Sequence, residues 1–183
     1  MAEPIRYVAL LRGINVGGHR MIKKEELTDI FTTAGLMDVQ TLLASGNVVF
    51  SSPETDEATL QSHIETTLEN ALGYRVDVMV RTILYMKELL LMEPFAEYIQ
   101  PSAKFYVTFL SKAVDELPDF PVKLKDQNAI AIGTHDREFF AVSFKRMDGR
   151  YGDFTPFMTK TFGPQPVTTR NWNTIVKLAA FDA

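Results

Sequence analysis

Apolar residues recur along most of the 183-residue chain in two rhythms, alternation and helical spacing, and these predict its elements. Ile5–Leu11 is nearly all apolar, as in a strand buried on both faces. Leu27, Ile30, Phe31 and Ala34 follow at helical spacing and stop at Gly35, which predicts an amphipathic helix with a glycine cap. Val39–Ala44 and Val48–Phe50 predict strands on either side of Ser45-Gly46-Asn47, and a Gly46-Asn47 centre suits a type II′ hairpin turn. Pro53 and Asp56 open a second helix, whose stripe of Leu60, Ile64, Leu68, Ala71 and Leu72 ends at Gly73. Val76, Val78 and Val80 alternate with polar or flexible neighbours, the pattern of a half-buried strand.

This β-α-β-β-α-β order predicts a ferredoxin-like α+β half over residues 1–82. Residues 83–183 predict a second α+β half closely packed on the first, with no disordered linker between them. It would contain a helix from Thr82 to Met92 broken by Pro94, and a strand on Phe105, Val107 and Phe109. A hairpin of 129–132 with 139–144 would follow, then a loop over 145–166 rich in Gly, Pro and Thr, and a last helix from Arg170 to Ala180. The second half would be a degenerate copy of the first, although no repeat in the residues proves it.

A hydrophobic fraction of 46% with 23% charged residues is ordinary for a globular protein with a proper core. The longest apolar runs are strand-sized, and "MAEPIRY" lacks the layout of a signal peptide, so a cytoplasmic protein with no membrane partner is expected. The chain has no cysteine, which excludes disulfides, thiol nucleophiles and thiolate metal sites. His19, His63 and His135 lie in unrelated contexts without ligand spacing, so no metal is expected, and no cofactor. The net charge of −4 conceals basic ends: Arg6, Arg12, Arg20, Lys23 and Lys24 oppose Glu3 alone within 1–24. Residues 143–178 carry six basic side chains against Asp148 and Asp153. Basic ends that meet in space would make a local anion site.

Three blocks, "YVALLRGINVGG" at 7–18, "SGNVVF" at 45–50 and "TTRNWNTIVKL" at 168–178, together resemble an uncharacterised bacterial family, domain of unknown function 1697. "EPF" at 93–95 stands where relatives carry "NPF". The resemblance implies a two-part α+β fold with ferredoxin-like character and supplies no activity.

The chemistry of the blocks can be read separately. In a ferredoxin-like unit the first strand's end and the turn between the second and third strands share one sheet edge. Arg12–Gly18 and Ser45–Asn47 should therefore be neighbours, with the first helix opening beside them. A helix N-terminus offers free N–H groups to an anion, and Lys23 and Lys24 would be unfavourable there without one, although Glu25 and Glu26 already supply negative charge. Gly13, Gly17 and Gly18 would let backbone approach a ligand, yet neither nucleotide-loop fingerprint is present. Thr168 or Thr169 would cap the last helix, with Trp172, Ile175, Val176 and Ala179 on its core side. Arg170, Asn171 and Asn173 would crowd its N-terminus, where a planar guanidinium can grip phosphate or carboxylate.

The resulting candidate site comprises Arg12, Asn15, Gly17, Gly18, Lys23, Ser45, Asn47, Arg170, Asn171 and Asn173, for a small phosphorylated or nucleotide-like anion. Short RNA ranks below it, because no RNP1-like run occurs. Two alternatives stand beside it. One is an enzyme with an unidentified acid or base, Asn15, Asn47 and Asn173 stabilising its transition state; a His19–Ser45 pair is the weakest form, since no nucleophile elbow surrounds Ser45. The other is an assembly protein in which the polar blocks only lock the two halves or a dimer.

Overall fold

The first strand follows from its composition: in Ile5–Leu11 (β1) every side chain but Arg6 is one that water disfavours, and from Tyr7 onward all are buried. The structure, a computed structural model, describes residues 3–42, 46–124 and 128–183. After β1 come α1 (Lys24–Thr33), β2 (Met37–Leu42), β3 (Asn47–Ser52), α2 (Glu57–Leu72) and β4 (Val78–Thr82). Next are α3 (Ile83–Leu91), a short 3-10 turn at Ala96–Tyr98, β5 (Ala103–Leu110), β6 (Val122–Leu124), β7 (Ala129–His135) and β8 (Glu138–Phe144). The chain ends with α4 (Thr155–Phe162), β9 (Val167–Asn171) and α5 (Trp172–Ala179). The fold is α+β with two antiparallel sheets, and the chain divides into two compact units. One holds residues up to Leu89 joined by Val176–Ala183; the other is Leu90–Ile175.

In the first unit the sheet order is β2-β3-β1-β4. Tyr7, Ala9, Leu11, Val48, Phe50, Val78 and Val80 cluster with Leu27 and Phe31 of α1 and Leu60, Ile64 and Leu68 of α2. Helical spacing thus buries the centres of both foreseen stripes, while Ile30, Ala34 and Leu72 are half-buried and Ala71 is exposed. Asp56 caps α2, its carboxylate accepting from the Thr59 N–H at 3.0 Å. Successive side chains on a strand alternate between faces, so Val8, Leu10, Asn47, Val49, Met79 and Arg81 occupy the opposite face of the sheet. None of these six is more than 1% exposed. Val78–Arg81 is therefore buried on both faces rather than one, and Arg81 is the polar side chain its pattern conceals.

The second unit's sheet has the order β6-β7-β8-β5-β9. Leu110, Ala129, Ala131, Phe139 and Ala141 cluster with Phe154, Met158 and Phe162. Two segments differ from the pattern expected of them. Residues 155–162 form α4, not loop: Pro156 sits in the first turn, where its missing N–H costs nothing, and Phe154, Met158 and Phe162 line one side at i, i+4, i+8. Residues 167–171 form a strand, not the start of the last helix. Thr168 and Thr169 pair with Phe109 and Thr108 of β5 instead of capping a helix, as suits β-branched residues beside a long strand. The helix consequently begins at Trp172 and buries Ile175, Leu178 and Ala179 while Val176 is exposed.

The two sheets repeat one plan. Without the edge strand β6, the order β7-β8-β5-β9 reproduces β2-β3-β1-β4, and every ladder in both is antiparallel. Register makes the match residue by residue. Val8 stands opposite Val49 and Arg81, and Val107 stands opposite Phe140 and Arg170. Leu10 faces Asn47, and Phe109 faces Glu138; both polar partners are completely buried. Arg81 and Arg170 are likewise buried, and each donates from Nη1 to the carbonyl of the residue before it, at 2.8 Å and 3.0 Å. Each lies one residue from the end of a strand that runs straight into a helix. Between β5 and β7, the counterparts of β1 and β2, the segment containing β6 stands in place of a helix.

Candidate functional site

Beyond β1 the backbone turns sharply, with Gly13, Asn15, Gly17, Gly18 and Arg20 all at positive φ. Asn15 closes this loop: its side chain accepts from the Ile22 N–H at 2.8 Å and donates to the Ile22 carbonyl at 3.3 Å. Ile14 plugs the loop into the core, and the Arg20 guanidinium lies 4.8 Å from the centre of the Tyr74 ring. Leu11 N–H donates to the Gly46 carbonyl at 2.8 Å, so the post-β1 loop and the β2–β3 turn do share an edge. Glycine is needed at 46: φ is +76°, and a Cβ there would lie 3.0 Å from the Leu11 Cβ.

At this edge a cavity of about 350 Å³ is lined by Asn15, Met21, Ile22, Lys24, Leu27, Thr41 and Gly46. The first turn of α1 opens onto it through Lys24, and the residue before that helix, Lys23, makes no side-chain cap. Thr41 Oγ1 is buried and has no hydrogen-bond partner among the described residues. A buried hydroxyl left unpaired costs roughly 1–3 kcal/mol. The walls combine apolar surface (Met21, Ile22, Leu27) with an ammonium, an amide and a hydroxyl, a composition suited to a ligand with an apolar body and an anionic group.

The residues singled out from the sequence have varied surroundings. Arg12 is half exposed and pairs with Asp77 at 3.0 Å, and Arg75 reaches the same carboxylate at 3.1 Å. Gly17, Gly18 and Lys23 are exposed on the loop outside the cavity lining. Ser45 lies outside the described residues. Asn47 is buried, and its amide donates to the Leu42 carbonyl at 2.9 Å, bracing the hairpin. Arg170, Asn171 and Asn173 belong to the other unit. Arg170 donates to Thr168 Oγ1 at 2.7 Å as well as to the Thr169 carbonyl, and burial pulls its guanidinium down to about 10. Asn171 ends β9 and Asn173 lies in the first turn of α5, both exposed. Within the first unit, then, the structure brings Asn15 together with the Gly46 turn. Met21, Leu27 and Thr41 were not foreseen as lining residues, because a core leucine or a strand threonine carries no local mark of facing a cavity.

Elsewhere, burial raises the Tyr7 phenol, with Glu57, Glu54 and Asp56 adding to the effect; its hydroxyl donates to the Glu54 carbonyl at 2.7 Å. His63 Nε2 lies 2.8 Å from the Ala34 carbonyl, which ties α2 to the end of α1. Among the described residues no group of three or more His, Cys, Asp or Glu is placed to hold a metal ion, and no helix is long and apolar enough to cross a membrane.

No curated protein matches the chain. Among solved structures it is similar to the conserved bacterial protein SP0830 from Streptococcus pneumoniae, with 21% identity, a TM-score of 0.64 and coverage of 96% of this chain and 97% of that one. At that identity the likeness is one of fold. The family described as protein of unknown function, DUF1697, matches residues 5–138, which take in β1, the glycine-bearing loop, the cavity and the "EPF" turn. The chain belongs to that family.

Proposed function

We propose that the first unit binds a small anionic ligand with an apolar body, phosphorylated or nucleotide-like, in the cavity between the post-β1 loop and the first turn of α1. The observation that carries this reading is the buried Thr41 hydroxyl, without a partner among the described residues, on a residue that lines a cavity together with Lys24. Lys24 supplies the counter-charge, Thr41 a hydrogen bond, and Met21, Ile22 and Leu27 the apolar contact. Asn15 shapes the loop rather than gripping the ligand, since its amide is committed to Ile22. Binding in the cytoplasm is consistent with a chain that contains no cysteine.

A thermal-shift screen of nucleotides, phosphosugars and dicarboxylates tests this on wild type, Lys24→Ala and Thr41→Val. A ligand at one hundred times its Kd adds about 2.7 kcal/mol to wild type. Lys24→Ala should respond only at roughly tenfold higher concentration. Equal responses from wild type and both variants would remove the cavity from consideration. A second reading, in which these segments only brace the fold, is favoured by the Arg12–Asp77 pair and the Asn47–Leu42 bond. It expects no compound in the screen to stabilise any of the three proteins.

A further inference from the structure

The second unit contains a cavity of different character, about 300 Å³ in volume, whose walls include Glu93, Pro94, Phe95, Ile99, Phe105 and Trp172. Phe95 is the buried hub of its aromatic group. Its ring centre lies 4.9 Å from Phe105, 5.0 Å from Trp172 and 6.0 Å from Phe140, with interplanar angles of 38°, 72° and 78°. Rings so inclined build walls around a hollow instead of a flat stack. Phe105 and Trp172 remain half-buried at its surface, and Ile99 beside them is exposed.

Charge distinguishes this hollow from an ordinary gap in a core. Glu93 is an exposed carboxylate among its lining residues, and Glu97 follows in the next turn. From Lys87 to Lys104 the chain carries three acidic residues between those two lysines and no basic one. Glu93 is also held at φ +46°, a backbone region that glycine and asparagine occupy more readily than glutamate. The strain therefore sits at the one acidic lining residue. Aromatic faces are electron-rich and attract cations, most strongly tryptophan. A carboxylate next to them repels anions and adds to that attraction.

We propose that this cavity is a binding site for a small organic cation of the alkylammonium class, seated against Phe105 and Trp172 with Glu93 as its counter-charge. The site is independent of the anion cavity in the first unit. A purely apolar occupant would gain nothing from Glu93, so shape and charge can be separated by experiment.

Trp172 is the only tryptophan in the chain, so its emission reports directly on the cavity. The full chain is titrated with choline at constant ionic strength, and in parallel with 3,3-dimethylbutan-1-ol, the uncharged molecule of the same shape. Choline is expected to change Trp172 emission saturably and to bind about tenfold more tightly than the alcohol. Glu93→Gln should weaken choline binding severalfold while leaving the alcohol's affinity and the unfolding midpoint unchanged. Equal binding of the two compounds would overturn the proposal in favour of a merely apolar hollow. An unaltered choline affinity in Glu93→Gln, or no saturable response of Trp172, would overturn it as well.

Discussion

Glu93 illustrates how much one residue's backbone decides. A side chain with a Cβ at φ +46° crowds its own carbonyl, and such conformations cost on the order of 1 kcal/mol or more. Asparagine tolerates that region better than glutamate does. Glu93→Gly is expected to raise stability by about 0.5–1 kcal/mol in urea unfolding, strain relief outweighing the added freedom of the unfolded chain. Glu93→Val should lower it, because a β-branched residue fits the left-handed region worst. A gain with valine equal to that with glycine would show that φ at 93 is not what limits stability.

At the scale of elements, α2 and α4 show one helix written plainly in sequence and one concealed. Asp56 caps α2 with bonds to Thr59 Oγ1 at 2.6 Å and to two backbone N–H groups, and these hold its carboxyl below the ordinary carboxylate range. Because the folded value is lower than the unfolded one, the cap's contribution is complete above the ordinary carboxylate value. It is lost as pH falls through the folded value. Asp56→Ala should lower the thermal midpoint by about 2–4 °C at pH 7. Scans below about pH 4 should show that gap closing; a constant gap down to pH 2 would mean that the carboxylate's charge is irrelevant. For α4, Lys160→Pro removes an intrahelical bond and introduces a clash, so it should cost about 3 kcal/mol or more. A mutant as stable as wild type in denaturant would restore the loop that the glycines and prolines of 145–166 suggest.

For the whole molecule, the repeated sheet plan carries the sharpest expectation. Arg81 and Arg170 hold equivalent positions in their units, buried and bonded to the preceding carbonyl. Truncating either leaves buried acceptors unmatched and opens a cavity. Arg81→Ala and Arg170→Ala should therefore each cost about 2–4 kcal/mol, by similar amounts, in chemical denaturation. A neutral result for one beside a large loss for the other would reduce the repeat to topology without shared energetics. Glu138 at the site equivalent to Asn47 shows how far the two units have diverged in chemistry while keeping register.

The candidate cavity itself was half legible. Its edge, its loop and its turn follow from β-α-β geometry, and Asn15 and Gly46 were visible in the blocks that line it. Arg170 was visible too, but as an anion reader, whereas the fold gives its guanidinium to Thr168 and Thr169. Local pattern determined most elements of the first unit, because apolar spacing, an Asp cap and glycine stops act over a few residues and do not depend on distant partners. Only tertiary structure decided that 167–171 would be a strand, since β5 supplies the hydrogen bonds that make it one. The same holds for Arg81 and Thr41: a side chain's burial, and whether its polar atoms find partners there, depend on residues far away in the chain.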